Sequence, residues 1–334
     1  MRRIVGRLAR WIGFGLLALA ILLVGTWCAL ALWFRFPGSA VLRDLVAGVG
    51  FAAALAAVGF LATRWRWRAL ATYAGLVAVV LVWWSTITPS NDRDWAPEVS
   101  RTVTATIDGD RLVLNNVRNF TWRSETDFDQ RWERRTFLLS EVRNVDLIMS
   151  YWGNEAIAHT IISFGFENGP RLAFSVEIRR ERGQAFSSLA GFFKEYELII
   201  IAADERDVVR VRSNIRGEDV RLFRLRMTPA NAQRLLRAYA AQVNALARHP
   251  RFYNTLTANC TTLVFAMIRA IHPGLPLDPR VLLSGYLPNY AYDIGALDTH
   301  LPFAALREHA RIRERALRAD DDPDFSEQIR APGS

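Results

Sequence analysis

The stretch FYNTLTANCTT, residues 252–262, lies where a strand-like sequence pattern has given way to a helical one. Cys260 is the only cysteine outside the predicted membrane spans, and it falls in the first turn of a predicted amphipathic helix. The unpaired N–H groups and the positive dipole end of a helix start lower the pKa of a thiol. A lone cysteine that meets a distant histidine in the fold is typical of a thiol nucleophile.

Two helices are predicted around this stretch. The first opens at Thr228 and Pro229, because threonine suits the N-cap and proline the first helical position, and it ends at His249. The second begins at Thr261 and ends at His272, before a Pro-Gly pair. Apolar residues recur on one face of each helix: Leu235, Leu236, Tyr239, Val243 and Leu246 in the first, and Leu263, Val264, Met267, Ile268 and Ile271 in the second.

Upstream of these helices the pattern predicts strands, with turn residues at 108–110 and 167–169. The predicted strands cover residues 102–107, 111–116, 145–151, 156–166, 171–179, 198–202, 208–211 and 220–227.

Three apolar runs near the amino terminus, residues 11–34, 45–62 and 69–87, predict transmembrane helices, which need about 20 residues each. A cleaved signal peptide is the competing interpretation of the first run. That run is longer than the usual apolar core of about 7–15 residues and two more runs follow, so three spans are favoured. Cys28 lies in the first span and is interpreted as a packing residue.

The arginines predict the orientation of these spans. Four arginines precede the first span and three lie between the second and third, whereas the loop between the first and second holds Arg35, Arg43 and Asp44. Basic segments stay in the cytoplasm, so the amino terminus is predicted inside and the domain after residue 87 outside. With no second exported cysteine, Cys260 cannot form an intrachain disulfide there.

The net charge of +9 does not indicate a nucleic-acid partner, because much of the basic excess flanks the spans and no recognition motif accompanies it. No His, Cys or carboxylate cluster has the spacing of metal ligands, so neither a metal nor another cofactor is expected. The residues leave the oligomeric state open.

Among the five histidines, His159 stands out because it falls in the middle of an apolar strand. A lone strand histidine is more often a satisfied core residue than a catalyst. If residues 167–169 form a three-residue loop, however, the numbers of paired residues sum to 336 and His159 faces Glu177. A carboxylate in that position orients an imidazole and stabilises its protonated form. A one-residue slip would separate the pair, leaving Ser175 and Glu181 as alternative partners.

The remaining histidines are weaker candidates for the base. Two of them, His249 and His272, precede prolines at helix ends and suit capping roles. His309 falls in the charged tail, and His300 stays open as a loop residue.

The order of a strand histidine, a polar partner on the next strand and a later Asn-Cys helix start resembles circularly permuted papain-like enzymes of the NlpC/P60 and lecithin:retinol acyltransferase types. Three segments are similar to the DUF4105 family, also called the Lnb N-terminal periplasmic domain. They are AHT at 158–160 with Ser163-Phe164, SVEIR at 175–179, and YN…NCTT between 253 and 262.

This resemblance covers about residues 120–300 and implies Cys260 as nucleophile and His159 as base. The family is named after a lipoprotein N-acyltransferase, which implies acyl transfer at the outer face of the bacterial inner membrane, with membrane lipids or lipoproteins as partners. Here three spans precede the domain, whereas in that transferase the membrane part follows it.

The expected mechanism is covalent acyl transfer through a thioester. Backbone N–H groups near Cys260 and Thr261 would form part of an oxyanion hole, with Asn259 or Asn254 as a side-chain donor. Asn259 suits a helix N-cap equally well. Tyr253 would line the site or fill core, and the acceptor, an amine or water, is left open. The alternatives are a peptidoglycan amidase or peptidase of papain-like type and a non-catalytic membrane scaffold with a degenerate papain-like domain.

The predicted organisation is α+β. A transmembrane region at 1–88 precedes a linker and hairpin at 89–119. A permuted papain-like thiol-enzyme domain with an antiparallel sheet follows at 120–305, and a charged, partly disordered tail at 306–334 ends the chain.

Overall fold

The computed structural model describes residues 2–167 and 169–331, and the chain divides into two units. Met1–Pro89 and Ser187–Glu195 form the first unit, and Ser90–Phe186 and Tyr196–Ser334 form the second. The division after Pro89 agrees with the composition of the sequence, which changes there from apolar runs to strand patterns.

The first unit contains three long helices: α1 (Arg2–Arg35), α2 (Ala40–Phe60) and α3 (Arg66–Thr86). Three segments are each long and apolar enough to cross a membrane: Leu8–Arg35 of α1, α2 and α3. These three helices fit an integral membrane protein. The second helix starts five residues earlier than predicted, because the Ser39 side chain accepts a hydrogen bond from the Leu42 N–H and caps it.

Close packing holds the three helices together at one level. The Tyr73 hydroxyl of α3 donates a hydrogen bond to the Ile21 carbonyl of α1, over 2.9 Å. A Cβ placed on Gly25 of α1 would lie 2.4 Å from the Ala54 Cβ of α2, so only glycine permits this approach. Small residues at helix contacts and an interhelical hydrogen bond are typical of packing inside a membrane.

The second unit is a mixed α/β domain built on an eight-stranded sheet. Its strands are β1 (Thr104–Asp108), β2 (Arg111–Arg118), β5 (Trp132–Leu138), β6 (Val142–Tyr151), β7 (Ala158–Phe166), β8 (Leu172–Arg179), β9 (Glu197–Ala203) and β10 (Asp219–Arg224). A separate small hairpin joins β3 (Thr121–Trp122) to β4 (Phe128–Asp129).

The strand order in the large sheet is β1-β2-β9-β8-β7-β6-β10, and β5 also pairs with β2. Neighbouring strands are antiparallel except β2 and β9, which are parallel.

Two long helices pack their apolar faces on one side of this sheet: α5 (Pro229–Arg248) and α6 (Cys260–Ile271). Thr228 caps α5 and Pro229 occupies its first turn, as predicted. The five predicted apolar residues of α5 are all buried in the main core. Helix α7 (Leu287–Asp293) adds Leu287, Tyr290 and Ala291 to the same core.

Helix α8 (Phe303–His309) still packs against the main core through Phe303 and Leu306. The chain after it covers the other side of the sheet through residue 331 and forms α9 (Arg313–Ala319) and α10 (Phe325–Gln328). Ile312, Phe325 and Ile329 are fully buried against sheet residues such as Ile161 and Ile201. The structure thus replaces the predicted solvated and partly disordered tail with packed helices, and residues 332–334 lie outside the described residues.

The predicted strand at residues 208–211 is wrong. Here the chain forms the short helix α4 (Glu205–Val208) and a π-helical turn, Val211–Ile215. The Asp204 side chain accepts a hydrogen bond from the Arg206 N–H and caps α4. The valines are buried by packing of the helix on the sheet, so their apolar character does not signal a strand.

The predicted register of the hairpin that carries His159 is confirmed. Strands β7 and β8 pair Ile161 with Ser175 and Phe164 with Leu172, so the paired residue numbers sum to 336. Of the predicted loop at residues 167–169, Asn168 lies outside the described residues.

Candidate active site

Cys260 is the first residue of α6 and is positioned by a capping box. The Asn259 Oδ1 atom accepts hydrogen bonds from the N–H groups of Thr261 and Thr262, at 2.9 and 2.8 Å. In return, the Thr262 hydroxyl accepts from the Asn259 N–H at 3.0 Å. Such a reciprocal cap fixes the entry of the chain into a helix. It therefore holds the half-buried thiol at the positive end of the helix dipole.

His159 lies near the start of β7, beyond the last residue pair of the β7–β8 ladder, Ile161 and Ser175. Its Nε2 atom is 2.6 Å from the Ser175 Oγ and 3.1 Å from the Glu177 Oε1. The Ser175 hydroxyl donates to the same Glu177 oxygen over 2.6 Å. Because that hydroxyl donates its only proton to the carboxylate, it accepts from His159, and the ring proton resides on Nε2. Nδ1 is the ring nitrogen left to act on Cys260.

The electrostatic surroundings of Cys260 and His159 favour a thiolate–imidazolium pair. Burial would raise the pKa of Cys260, but a hydrogen bond from His159 and its charge outweigh burial and lower the pKa. The Thr160 N–H and the Thr261 hydroxyl, whose oxygen is 3.8 Å from the sulfur, add to this lowering. Burial and the charge of Arg212 oppose protonation of His159, yet Glu177 and Cys260 raise its pKa to about 9.

Glu177 remains ionised in this setting. Burial would raise the pKa of its carboxyl, but the charges of His159 and Arg212 hold that pKa well below the usual range. The Arg212 Nη2 donates to the Glu177 Oε1 over 2.8 Å. His159 therefore faces a carboxylate that is itself fixed by the buried Arg212 cation.

Arg212 is the site residue that the sequence reasoning missed. It lies in the π-helical turn, is nearly buried, and its Nη1 is 3.5 Å from the Glu218 Oε2. Ser150, paired with His159 across β6 and β7, donates to the same Glu218 oxygen. The helix-start signal at residues 204–207, a capping aspartate followed by acidic residues, could have revealed this turn.

Three of the groups predicted as oxyanion donors make other hydrogen bonds: the Asn259 side chain, the Thr261 N–H and the Asn254 side chain. The side chain of Asn259 serves as the cap, and its Nδ2 donates to the Thr255 carbonyl at 2.8 Å. The Thr261 N–H is engaged by that cap. Asn254 Oδ1 accepts from the N–H groups of Leu256 and Thr257, at 3.0 Å each, and so closes a turn before the helix. Asn259 is thus the N-cap of α6, which is one of the two roles predicted for it.

Tyr253 lies beside the site, packed against the main core. Burial raises the pKa of its hydroxyl, and the negative charges of Cys260 and Glu177 raise it further. The hydroxyl therefore stays protonated close to the thiol.

The other sequence candidates do not join the site. Glu181 pairs with Arg93 at 2.9 Å, so it is no partner of His159. His249 and His272 occupy the C-cap positions of α5 and α6, as expected. His300 and His309 are exposed.

An apolar cavity of about 260 Å³ extends along α6 on the same side of the sheet. Val264 and Ile268 line it one and two turns after Cys260, and the first of these turns advances about 6 Å. Ile162 of β7, two residues after the Thr160 N–H that contacts the sulfur, forms part of the opposite wall. The polar groups of the lining belong to Arg226, His272 and Tyr290, whose hydroxyl donates a hydrogen bond to the Pro276 carbonyl. A cavity with such walls suits a hydrocarbon ligand.

Across residues 2–167 and 169–331, no group of three or more His, Cys, Asp or Glu side chains is arranged to hold a metal ion.

Residues 128–285 match the family model of the Lnb N-terminal periplasmic domain. The match contains His159, Glu177 and Cys260, and it confirms the resemblance inferred from the sequence motifs. No curated protein and no solved structure gives a match to this chain.

Proposed function

We propose that the chain is a membrane-anchored thiol enzyme that transfers or hydrolyses acyl groups. The observation that carries this proposal is the ordered contact of Cys260, His159, Ser175 and Glu177 at a capped helix start. A nucleophile beside a base that a third group orients is an arrangement typical of covalent catalysis. The partly buried, ionised Glu177 carboxylate beside His159 supports a catalytic site over a non-catalytic scaffold.

The chemistry follows the proton positions. The Cys260 proton is held on His159, and the thiolate attacks the carbonyl carbon of an ester or amide. When the tetrahedral adduct collapses, its C–O or C–N bond breaks and the leaving alcohol or amine takes the proton from His159. The acyl group then rests on Cys260 as a thioester. An amine or water, deprotonated by His159, attacks that thioester and restores the thiol.

The substrate class we favour is an acyl lipid or lipoprotein. The three spans keep the chain in a membrane, where such substrates reside. The apolar cavity that shares α6 and β7 with the site has room for part of a hydrocarbon chain. A soluble peptide would need polar groups along such a wall, and the side chains of this lining offer few.

We infer the bacterial inner membrane as the location, with the amino terminus in the cytoplasm and the second unit in the periplasm. The arginines between α2 and α3 and the periplasmic name of the matched family support this orientation. We also infer a permuted papain-like arrangement, because the histidine strand β7 precedes the cysteine helix α6 along the chain.

An acyl-thioester trap tests the proposal. Membranes holding the full chain are treated at neutral pH with a thiol-reactive acyl probe, and the adduct is located by mass spectrometry. We expect one adduct at Cys260, loss of that adduct in Cys260→Ala, and labelling at least tenfold slower in His159→Ala. Cys28→Ser is the matched control and should label like wild type. Equal labelling of wild type and His159→Ala would refute the activated thiol.

The substrate class needs a second measurement. Lipoprotein amino termini from cells lacking the gene are compared with wild type by mass spectrometry, and we expect a changed acyl pattern. Unchanged lipoprotein and phospholipid acyl chains together with altered peptidoglycan fragments would favour the amidase alternative instead.

A further inference from the structure

The segment Ser187–Glu195 follows strand β8 in the chain but packs within the first unit, among the membrane helices. The Lys194 Nζ donates hydrogen bonds to the carbonyl oxygens of Trp84 and Ile87, over 2.8 and 3.2 Å. Helix α3 ends at Thr86, so these are carbonyls at its carboxyl end, which a cation satisfies well. The segment is therefore fixed to the end of a membrane span.

A second set of contacts joins the segment to the end of α1. The Phe193 ring stacks on the Phe34 ring with centroids 5.3 Å apart. Next to this pair, the Arg35 guanidinium is 3.5 Å from the Glu195 carboxylate. Because successive spans alternate in direction, α1 and α3 as first and third of three spans end at the same membrane surface.

The backbone of the segment is held rather than loose. Lys194 has φ +54°, a left-handed conformation that costs energy for a residue with a side chain. Its ammonium group also lies 4.8 Å from the centre of the Trp84 ring, which adds a cation–π contact. Because its backbone conformation and its ammonium group are both fixed, Lys194 sets the direction of the turn before it.

That turn is a 3₁₀ helix, Ala190–Phe192, in which residues three apart share a face. Ala190 and Phe193 form the inner face and are buried. Leu189 and Phe192 form the outer face and remain 47 % and 42 % exposed. Two large apolar side chains thus point away from the protein at the level where α1 and α3 end.

Aromatic residues mark that level as the boundary of the bilayer. Trp33, Trp83 and Trp84 all lie within the last turns of α1 and α3. Tryptophan concentrates at the headgroup level of membranes because its ring is apolar and its N–H polar. Water would be an unfavourable neighbour for Leu189 and Phe192 at this depth, whereas lipid would bury them.

We propose that Leu189 and Phe192 insert into the lipid layer at the membrane surface where α1 and α3 end. The partner is the headgroup–acyl boundary of a phospholipid bilayer, which amphipathic segments enter by about 5–10 Å. The inference is independent of the thiol chemistry, because it rests on residues of the first unit alone. The segment acts as a membrane-contact loop inserted between strands β8 and β9 of the sheet.

Depth measurement with lipid-borne quenchers tests this proposal. The full chain with Cys28→Ser and Cys260→Ala receives Leu189→Cys or Phe192→Cys, is labelled with a small fluorophore and is reconstituted in phosphatidylcholine–phosphatidylglycerol vesicles. Quenching by a nitroxide placed high on the lipid acyl chain is compared with quenching by aqueous iodide. Ser124→Cys, in an exposed turn of the second unit, is the aqueous reference, and Val79→Cys, exposed on α3, is the membrane reference.

For both loop positions we expect the shallow nitroxide to quench at least twofold more than it does at the Ser124→Cys label, with iodide quenching reduced by a similar factor. Adding Lys194→Ala should lower the nitroxide effect, because the turn then loses its anchor. The proposal is overturned if both loop labels behave like the Ser124→Cys label. It is equally overturned if a nitroxide at the bilayer centre quenches them as strongly as the Val79→Cys label.

Discussion

Glu177 accepts three contacts at a single oxygen, from His159, Ser175 and Arg212. Each contact favours its ionised form, and that form in turn raises the pKa of His159. The pKa of the Cys260 thiol depends on the charge of the imidazole, so the carboxylate acts on Cys260 through His159.

Replacement of this carboxylate should therefore change the pH profile of the thiol. In Glu177→Gln the pKa of His159 falls and the pKa of Cys260 rises, because the charge that stabilises the imidazolium is gone. We expect the midpoint of iodoacetamide alkylation to move up by about one pH unit, which lowers the rate about tenfold at pH below that midpoint. The rate is measured from pH 5 to 9 by loss of free thiol.

Glu181→Gln provides the matched control for that change, since Glu181 pairs with Arg93 and not with His159. Its profile should overlay that of wild type. An unshifted midpoint in Glu177→Gln, or an equal shift in Glu181→Gln, would contradict the assigned role of Glu177.

The sequence predicted Cys260, His159 and Glu177 at this site, but it did not reveal Arg212. The pairing sum of 336 follows from turn length and side-chain alternation, and it predicted that Glu177 faces His159. Ser175 was named only as an alternative, whereas in the structure it bridges the two. Arg212 reaches Glu177 from 35 residues away through a π-helical turn, and no local pattern encodes such a long-range contact.

At the scale of elements, helix α6 depends on its cap. Asn259 engages two N–H groups that would otherwise have no partner in the helix. In Asn259→Ala both bonds are lost, and we expect the free energy of unfolding of the second unit to fall by about 1 kcal/mol. Thermal unfolding followed by circular dichroism measures the loss.

Asn259→Ser is the control for the cap, because serine retains an oxygen at this position and should keep most of the stability. An Asn259→Ala protein that melts at the wild-type temperature would show that the capping box does not stabilise α6.

Amphipathic periodicity predicted α5 and α6 because a helix that covers a sheet must bury one stripe. The same reasoning failed at residues 208–211, where Val208, Val209 and Val211 are all buried. A short helix enclosed on several sides shows no alternation, and β-branched residues then imitate a strand. The three-dimensional surroundings, rather than the local sequence, decide that element.

At the scale of the whole molecule, the charged carboxyl-terminal segment illustrates another limit of composition. Its acidic and basic residues suggested solvation, yet Ile312, Phe325 and Ile329 are buried. The cost of burying charge is met by pairing, since Arg330 binds both Asp146 and Glu205 at 2.8 and 2.6 Å. A few buried apolar residues and a network of paired charges therefore hold this segment folded, although its average composition favours disorder.

The orientation of the chain in its membrane is directly testable. In a Cys28→Ser, Cys260→Ala background, Ala62→Cys probes the loop between α2 and α3, and Ser124→Cys probes the second unit. Spheroplasts are treated with a membrane-impermeant maleimide. We expect Ser124→Cys to label at once and Ala62→Cys to label only after lysis, because arginines hold the α2–α3 loop in the cytoplasm. The reverse pattern would invert the proposed topology.

His159 is proposed to make Cys260 a thiolate near neutral pH. The rate at which the Cys260 thiol of the purified full chain is alkylated tests this effect most directly. A free thiol with a pKa of about 8.5 loses about 50-fold in alkylation rate between pH 8.5 and 6.5. The pKa of Cys260 is lowered and that of His159 is raised to about 9, and both shifts favour the thiolate–imidazolium pair near neutral pH. We predict that the wild-type rate falls less than about fivefold over this interval, while that of His159→Ala falls as for a free thiol. A wild-type rate that falls about 50-fold, unchanged by His159→Ala, would contradict the account.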